Sequence, residues 1–243
     1  MASQANTEFI HNLLLRALPK PTMERLRPHL QHVALPQGLV IDRANEPIPH
    51  IYFVNCGFVS MVKTMRDGRS VEIGGVGIEG ITAPGALLGR RGSAVLDAVV
   101  QIPGAAFRIE RTVLREIIDE EPPLATAIES QARYLLGLIA QTAACNRLHS
   151  VEERCCRWLL IAYDNALADR FALTHEFLAM MLGTQRAGVT VAARQLKKAG
   201  LIDYARGSVT ITDRPGLEKK ACECYRANRD EIETLYPRQT GRA

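Results

Sequence analysis

The chain has 243 residues, with 30 Lys and Arg against 26 Asp and Glu and 47% hydrophobic side chains. A chain this long and this apolar can bury a substantial core, which excludes a disordered polypeptide. The net charge of +4 is modest but unevenly placed: residues 170–243 carry 13 basic and 8 acidic side chains, as an anion-binding module would.

No stretch approaches the roughly 18 consecutive apolar residues of a membrane span. Residues Met1 to Lys20 lack the charged lead-in, apolar run and cleavage site of a signal peptide. The six cysteines (56, 145, 155, 156, 222 and 224) form no C-x-x-C pair and read as reduced thiols. A cytoplasmic protein without a membrane partner is expected.

In chain order, Thr7 to Leu30 reads as helical, with Phe9, Leu13, Leu14, Ala17 and Leu18 at helical spacing before Pro19. From Val33 to Ile109 the pattern changes to short β-type runs, among them Val40-Ile41, Ile51–Val54, Phe58–Met65, Ser70–Ile73 and Val95–Gln101. Arg66-Asp67-Gly68-Arg69 predicts a two-residue hairpin turn that sets Val62 opposite Ile73 and Lys63 opposite Glu72. Many short strands with turns between them predict a small β-sandwich or roll. Gly75-Val76-Gly77-Ile78-Glu79-Gly80 fits G-x-G-x-x-G, but Pro84, Gly85 and Gly89 interrupt any following helix, so it reads as a glycine-rich turn.

Pro122-Pro123 opens a helix, where proline costs least. Leu124, Ile128, Gln131, Leu135, Leu138, Thr142 and Cys145 then follow at alternating spacings of four and three, a heptad seam. Gln131, Thr142 and Cys145 in that seam predict pairing with a second copy, hence a symmetric homodimer. The competing reading is that the helix only covers the β-domain. Ser150-Val151-Glu152-Glu153 is a capping box that starts the next helix, with Trp158, Leu159 and Tyr163 on it.

Residues 174–202 predict a helix-turn-helix. Thr174 caps a first helix that ends near Leu182-Gly183, and a second runs from about Gln185 to Lys198 before Ala199-Gly200. Ala179, Gly183 and Val189 supply the small residue at the crossing, the turn glycine and the apolar anchor. The outward face of the second helix then carries Gln185, Arg186, Thr190 and Arg194, with Thr174 and His175 at the start of the first. Arg186 can pair bidentately with guanine O6 and N7 in a major groove. Tyr204, Arg206-Gly207-Ser208 and Val209-Thr210-Ile211 form a wing whose Arg206 suits a phosphate. The partner expected is double-stranded DNA. A rival reading is a small-molecule-binding protein whose C-terminal helices contact another protein.

The segment LTHEFLAMMLGTQRAGVTVAARQLKKAGLIDYARGSVTITD, after a β-rich domain and a long helix, resembles the CRP/FNR family of bacterial transcription regulators. The weaker segment GLVIDRANEPIPHIYFVNCGFVSMVKTMRDGRSVEI resembles that family's cyclic-nucleotide-binding β-roll. The resemblance spans nearly the whole chain. It implies an α+β protein with an N-terminal β-roll (a double-stranded, jelly-roll-like sensor domain, residues 1–110), a long dimerisation helix (111–148) and a C-terminal winged helix-turn-helix (149–243). It further implies a homodimer on a palindromic site, with RNA polymerase as a further partner, and places Arg186 where the family reads guanine. The family's following glutamate and second arginine align with Ala187 and Val191.

Cyclic-nucleotide binders of the family hold the ribose with a Gly-Glu turn and the phosphate with an Arg-Ser/Thr pair. Here Glu79 and Gly80 stand in the turn, and Gly92 separates Arg90 and Arg91 from Ser93. These five residues are the candidate effector pocket, and no cyclic nucleotide is expected in it. His29 and His32 have no third ligand at metal spacing, and Cys155-Cys156 with Cys222-x-Cys224 are too few for an iron–sulfur cluster. No metal and no catalytic motif are therefore expected. A thiol switch at Cys222 or Cys224 is the remaining redox reading.

Overall fold

A computed structural model describes residues 9–89, 92–166, 169–205 and 207–237. Thr7, Arg90, Arg91 and Arg206 lie outside the described residues. The N-terminal helical segment divides into α1 (Leu13–Ala17) and α2 (Lys20–Leu26), because Leu18 is extended ahead of Pro19. Asn12 caps α1, its side-chain oxygen accepting from the Leu15 amide at 3.0 Å. Its amide nitrogen donates to the Val54 and Gly80 carbonyls, both at 2.8 Å, and pins the segment to the sheet.

Strands β1 (Gln31–Leu35), β2 (Val40–Asp42), β3 (His50–Thr64), β4 (Ser70–Val76) and β5 (Asp97–Glu110) form an antiparallel sheet. The order is β1-β5-β3-β4, with β2 also on β5. The runs Ile51–Val54 and Phe58–Met65 are one continuous strand. Gly57 carries it through a bulged bend at φ +87°, where a Cβ would lie 2.5 Å from the Ile102 carbonyl oxygen.

The β3–β4 turn departs from expectation. Only Gly68 has a positive φ, the Gly68 amide bonds to Met65 O and the Met65 amide to Arg69 O. This is a three-residue loop with a glycine bulge rather than a two-residue turn. Val62 therefore faces Glu72 and Lys63 faces Val71, with Ile73 bulged out of register. The slip turns Glu72 into the interior, where it is 5% exposed, instead of pairing it with Lys63.

Helix α3 (Arg111–Glu120) leads into the 27-residue α4 (Pro122–Leu148). Helix α5 (Val151–Ala166) starts at a complete capping box. The Ser150 amide donates to Glu153 Oε2 at 2.8 Å and the Glu153 amide to Ser150 Oγ at 3.3 Å. Strand β6 (Arg170–Ala172), α6 (His175–Met181), α7 (Arg186–Lys198), β7 (Ile202–Ala205) and β8 (Ser208–Ile211) follow, and then α8 (Arg214–Lys220) and α9 (Cys224–Leu235).

Five of the seven α4 seam residues are covered by the chain itself, whereas Leu135 and Leu138 are half-buried. Leu124, Ile128, Gln131, Thr142 and Cys145 are all buried within the chain. Gln131 accepts from the Tyr236 hydroxyl at 2.9 Å and Cys145 meets Cys222, so both find partners in the C-terminal segment. That segment, folded back over α4, is what the heptad reading lacked. The exposed stripe lies on the other side: Arg133, Leu136, Ala140, Ala143 and Arg147, again at spacings of three and four. Leu136 there is 69% exposed.

Two main cores result. Leu14, Phe53, Ile81, Ile109, Leu114, Leu124 and Ile128 pack between the sheet and helices α1, α3 and α4. The second core joins the halves of the molecule, with Phe58 and Ile102 of the sheet against Trp158, Leu178, Val189 and Leu196. Each such side chain contributes about 1.5–3 kcal/mol on burial. Among the described residues no helix is long and apolar enough to cross a membrane.

Candidate nucleic-acid interface

Thr174 caps α6, its hydroxyl oxygen accepting from the Phe177 amide at 3.2 Å. Gly183 turns the chain at φ +56°, and the Thr184 amide closes the turn on Ala179 O at 3.0 Å. A Cβ on Gly183 would also lie 2.9 Å from Val71 of β4, so the turn docks against the sheet. Gln185 precedes α7 and makes no capping bond with its side chain.

Helix α7 is strongly two-sided. Val189, Ala192, Ala193 and Leu196 are buried at helical spacing, whereas Gln185, Arg186, Ala187, Val191, Arg194, Gln195 and Lys198 are exposed. Arg186 and Arg194 are exposed on α7, and Gln185 is exposed just before its first turn. Val191 is 53% exposed as well. The resemblance aligns this residue with the family's second arginine, so an exposed apolar side chain stands in that place.

Thr190 and His175 are placed differently. Both are half-buried and bonded to each other, His175 Nδ1 to Thr190 Oγ1 at 3.1 Å. The Thr190 hydroxyl donates to Arg186 O at 2.9 Å, so the histidine must be the donor to it and Nδ1 carries the proton. The His175 ring stacks on Tyr204 with centroids 4.4 Å apart. Burial, and then the Arg186 charge, hold its pKa below the ordinary histidine value, which keeps the ring neutral. These two residues brace α6, α7 and the wing against one another.

The wing is three-stranded, in the order β6-β8-β7, where two strands are expected. The Leu173 amide donates to Gly207 O at 2.8 Å and the Tyr204 hydroxyl to Leu173 O at 2.9 Å. The three-residue β6 is too short to register in the sequence pattern. It adds exposed Arg170, whose Nε donates to Ser208 Oγ at 2.9 Å. Lys197 is committed to the wing through Asp203 at 2.7 Å.

Of the candidate effector residues, Glu79, Gly80 and Ser93 are described, and Arg90 and Arg91 lie outside the described residues. Glu79 is buried, accepts from the Gly77 amide at 2.9 Å and has its pKa raised by desolvation. Gly80 packs on Gln131, and Ser93 is exposed and bridged to Pro47. Glu79 instead lines a cavity of about 320 Å³ between β4, α4, α5 and α9, together with Glu72, Tyr134, Arg157, Asn165 and Tyr225. Cys145, His149, Cys222 and Cys224 also gather at one point, where the sequence spacing offered no metal site.

Residues 32–121 match the cyclic nucleotide-binding domain model and residues 153–220 the Crp-like helix-turn-helix domain model. Among solved structures, FixK2 from Bradyrhizobium japonicum is similar with a TM-score of 0.66 at 19% identity, over 79% of this chain and 98% of that one. CLP of Xanthomonas campestris, described as a c-di-GMP-responsive global regulator, gives 0.64 at 19% over 79% and 99%. The CRP/FNR regulator TTHA1359 of Thermus thermophilus gives 0.63 at 19% over 79% and 98%. No curated protein matches significantly. With a nucleotide-binding-type sheet domain, a long helix and a Crp-like helix-turn-helix in that order, the chain belongs to the CRP/FNR family and is a DNA-binding transcription regulator.

Proposed function

We propose that the protein acts as a homodimer on a palindromic DNA site, reading bases through Gln185, Arg186, Val191 and Arg194. The observation that carries this reading is the open, basic face of α7 beside the wing. Arg186 would take a guanine in the major groove, while Thr174, Arg170 and Arg206 would take phosphates. Thr190 and His175 serve the interface as a brace. The proposed units are a sensor domain over residues 1–110, the helix segment 111–148 and the DNA-binding domain 149–243.

The dimer contact is assigned to the exposed α4 stripe, with Leu136, Ala140 and Ala143 at its centre. Small residues let two helices approach closely, and Arg133 and Arg147 flank the apolar part. Two recognition helices related by a two-fold axis would then enter successive major grooves, about 34 Å apart. The protein would act by binding rather than catalysis, in the cytoplasm, with activation running through contact with RNA polymerase. A small effector in the cavity beside Glu79 is the proposed control.

Selection of random duplex DNA by the purified protein, with no nucleotide added, tests this reading. The expected result is a palindrome with half-sites about ten base pairs apart. Enrichment of an asymmetric site, or of none with and without candidate effectors, overturns it.

A further inference from the structure

Four metal-binding side chains from distant parts of the sequence meet at the far end of α4. Cys145 and His149 sit one helical turn apart, and Cys222 and Cys224 lie at the start of α9, which returns over α4. One ligand atom from each residue lies within 4.8 Å of all the others. Cys145 Sγ is 3.6 Å from Cys222 Sγ, and Cys224 Sγ is 3.6 Å from His149 Nδ1. A tetrahedral zinc ion, with Zn–S of about 2.3 Å and Zn–N of about 2.0 Å, requires edges of about 3.8 Å between sulfurs and about 3.6 Å from sulfur to nitrogen. Two of the six donor separations therefore stand close to these edges, and the other four lie within 4.8 Å.

We propose that Cys145, His149, Cys222 and Cys224 form a tetrahedral Cys3His site for a single thiophilic divalent cation of the zinc class, which clamps α9 onto α4. The three cysteines are buried, and four protein ligands fill the coordination sphere. That closure marks a structural site rather than a catalytic one. Gln141 Nε2 donates to Cys224 Sγ at 3.0 Å, the kind of outer contact that orients a thiolate ligand.

The charge balance points the same way. A divalent ion with three thiolates and a neutral imidazole carries one net negative charge. Arg154 and Arg157, each 6% exposed, act electrostatically on the Cys145 and Cys222 sulfurs, and neither Nε has a hydrogen-bond partner. Arg154 donates through its other nitrogens to the Asn146 and Leu182 carbonyls, and the loaded site would add an anionic neighbour for both guanidinium groups.

Two other chemistries fit less well. A Cys145–Cys222 disulfide needs a sulfur separation of about 2.05 Å and would leave Cys224 and His149 without a role. An iron–sulfur cluster distributes its ligands over several irons and spreads them further apart. The sequence concealed the site because 77 residues separate Cys145 from Cys222. The consequence reaches the cavity, since Tyr225, Asn228 and Tyr236 of the α9 segment form part of its wall. A bound ion would hold that wall in place. The proposal does not depend on which bases α7 reads.

The test is metal analysis of the full-length protein purified under reducing conditions without chelator. One zinc per chain is expected, lost in Cys222→Ser with Cys224→Ser and kept in Cys56→Ser. Should the double variant fold poorly, cobalt titration of the metal-stripped wild-type protein decides instead. The expected spectrum is the intense visible band of tetrahedral cobalt with sulfur-to-metal charge transfer, saturating at one equivalent. A weak octahedral spectrum, no binding of zinc or cobalt, a Cys145–Cys222 disulfide by mass spectrometry, or a brown protein with labile sulfide would each overturn the proposal.

Discussion

Glu72 is a carboxyl group in an interior position, and its surroundings set a pH dependence. Burial raises its pKa from 4.5 to about 7, against the opposing effects of the Ser60 hydroxyl, the Arg157 charge and the Trp158 N–H. The folded protein then holds a proton that the unfolded chain has released, so stability falls as pH rises from about 4.5 to about 7 and levels off above. The loss is on the order of 2–3 kcal/mol. Glu72→Gln keeps both hydrogen-bond acceptor contacts and has nothing to ionise. Urea midpoints across this range should fall more steeply for wild type than for the variant, and parallel curves would refute the assignment. At the DNA face, Arg186→Ala should cost about 1–3 kcal/mol and relax one base pair. Arg206→Ala should weaken all sequences alike and lower the salt slope by about one. Competition binding at several salt concentrations separates the two. Arg186 was legible in the sequence because the turn at Gly183 and the helix start put it at the first position of α7. The inward turns of Thr190 and Glu72 were not, because each depends on a neighbour, Tyr204-stacked His175 for one and a single bulged residue for the other.

At the scale of elements, α4 divides its labour between two faces. Ile128 of the Leu124–Cys145 seam is buried in the protomer, so Ile128→Ala should cost about 2–5 kcal/mol of stability in urea unfolding. Ala140→Glu on the opposite stripe should leave that stability within about 0.5 kcal/mol and dissociate the dimer in sedimentation velocity. If Ala140→Glu remains dimeric, the contact lies elsewhere. Both faces repeat every three or four residues, so periodicity alone could not rank them. Asp67-Gly68 was likewise legible as a turn. Its type was not, because two- and three-residue loops share the Asp-Gly signature and differ in which residues take positive φ.

The whole molecule is held together where the sheet meets the C-terminal helices. Trp158, the single tryptophan, is 1% exposed at that joint and shares its core with Phe58 and Ile102. Tryptophan fluorescence and far-ultraviolet circular dichroism should therefore report one coincident unfolding transition. Phe58→Ala removes the ring that packs on Gly75 and should split the transition in two, as the sheet and the helical part lose their common core. A single transition in that variant would show the joint is held by other contacts. The sequence by itself determined the helix-turn-helix, the wing, the capping box and the order of sheet, long helix and DNA-binding segment. Each of these is written in local spacing, caps and turn residues. Only the tertiary structure decided which face of α4 is free, which way Glu72 points, that α9 closes a cavity, and that Cys145, His149, Cys222 and Cys224 meet. Those are properties of segments far apart in the chain, and the energy that joins them comes from burial and packing that no local pattern records.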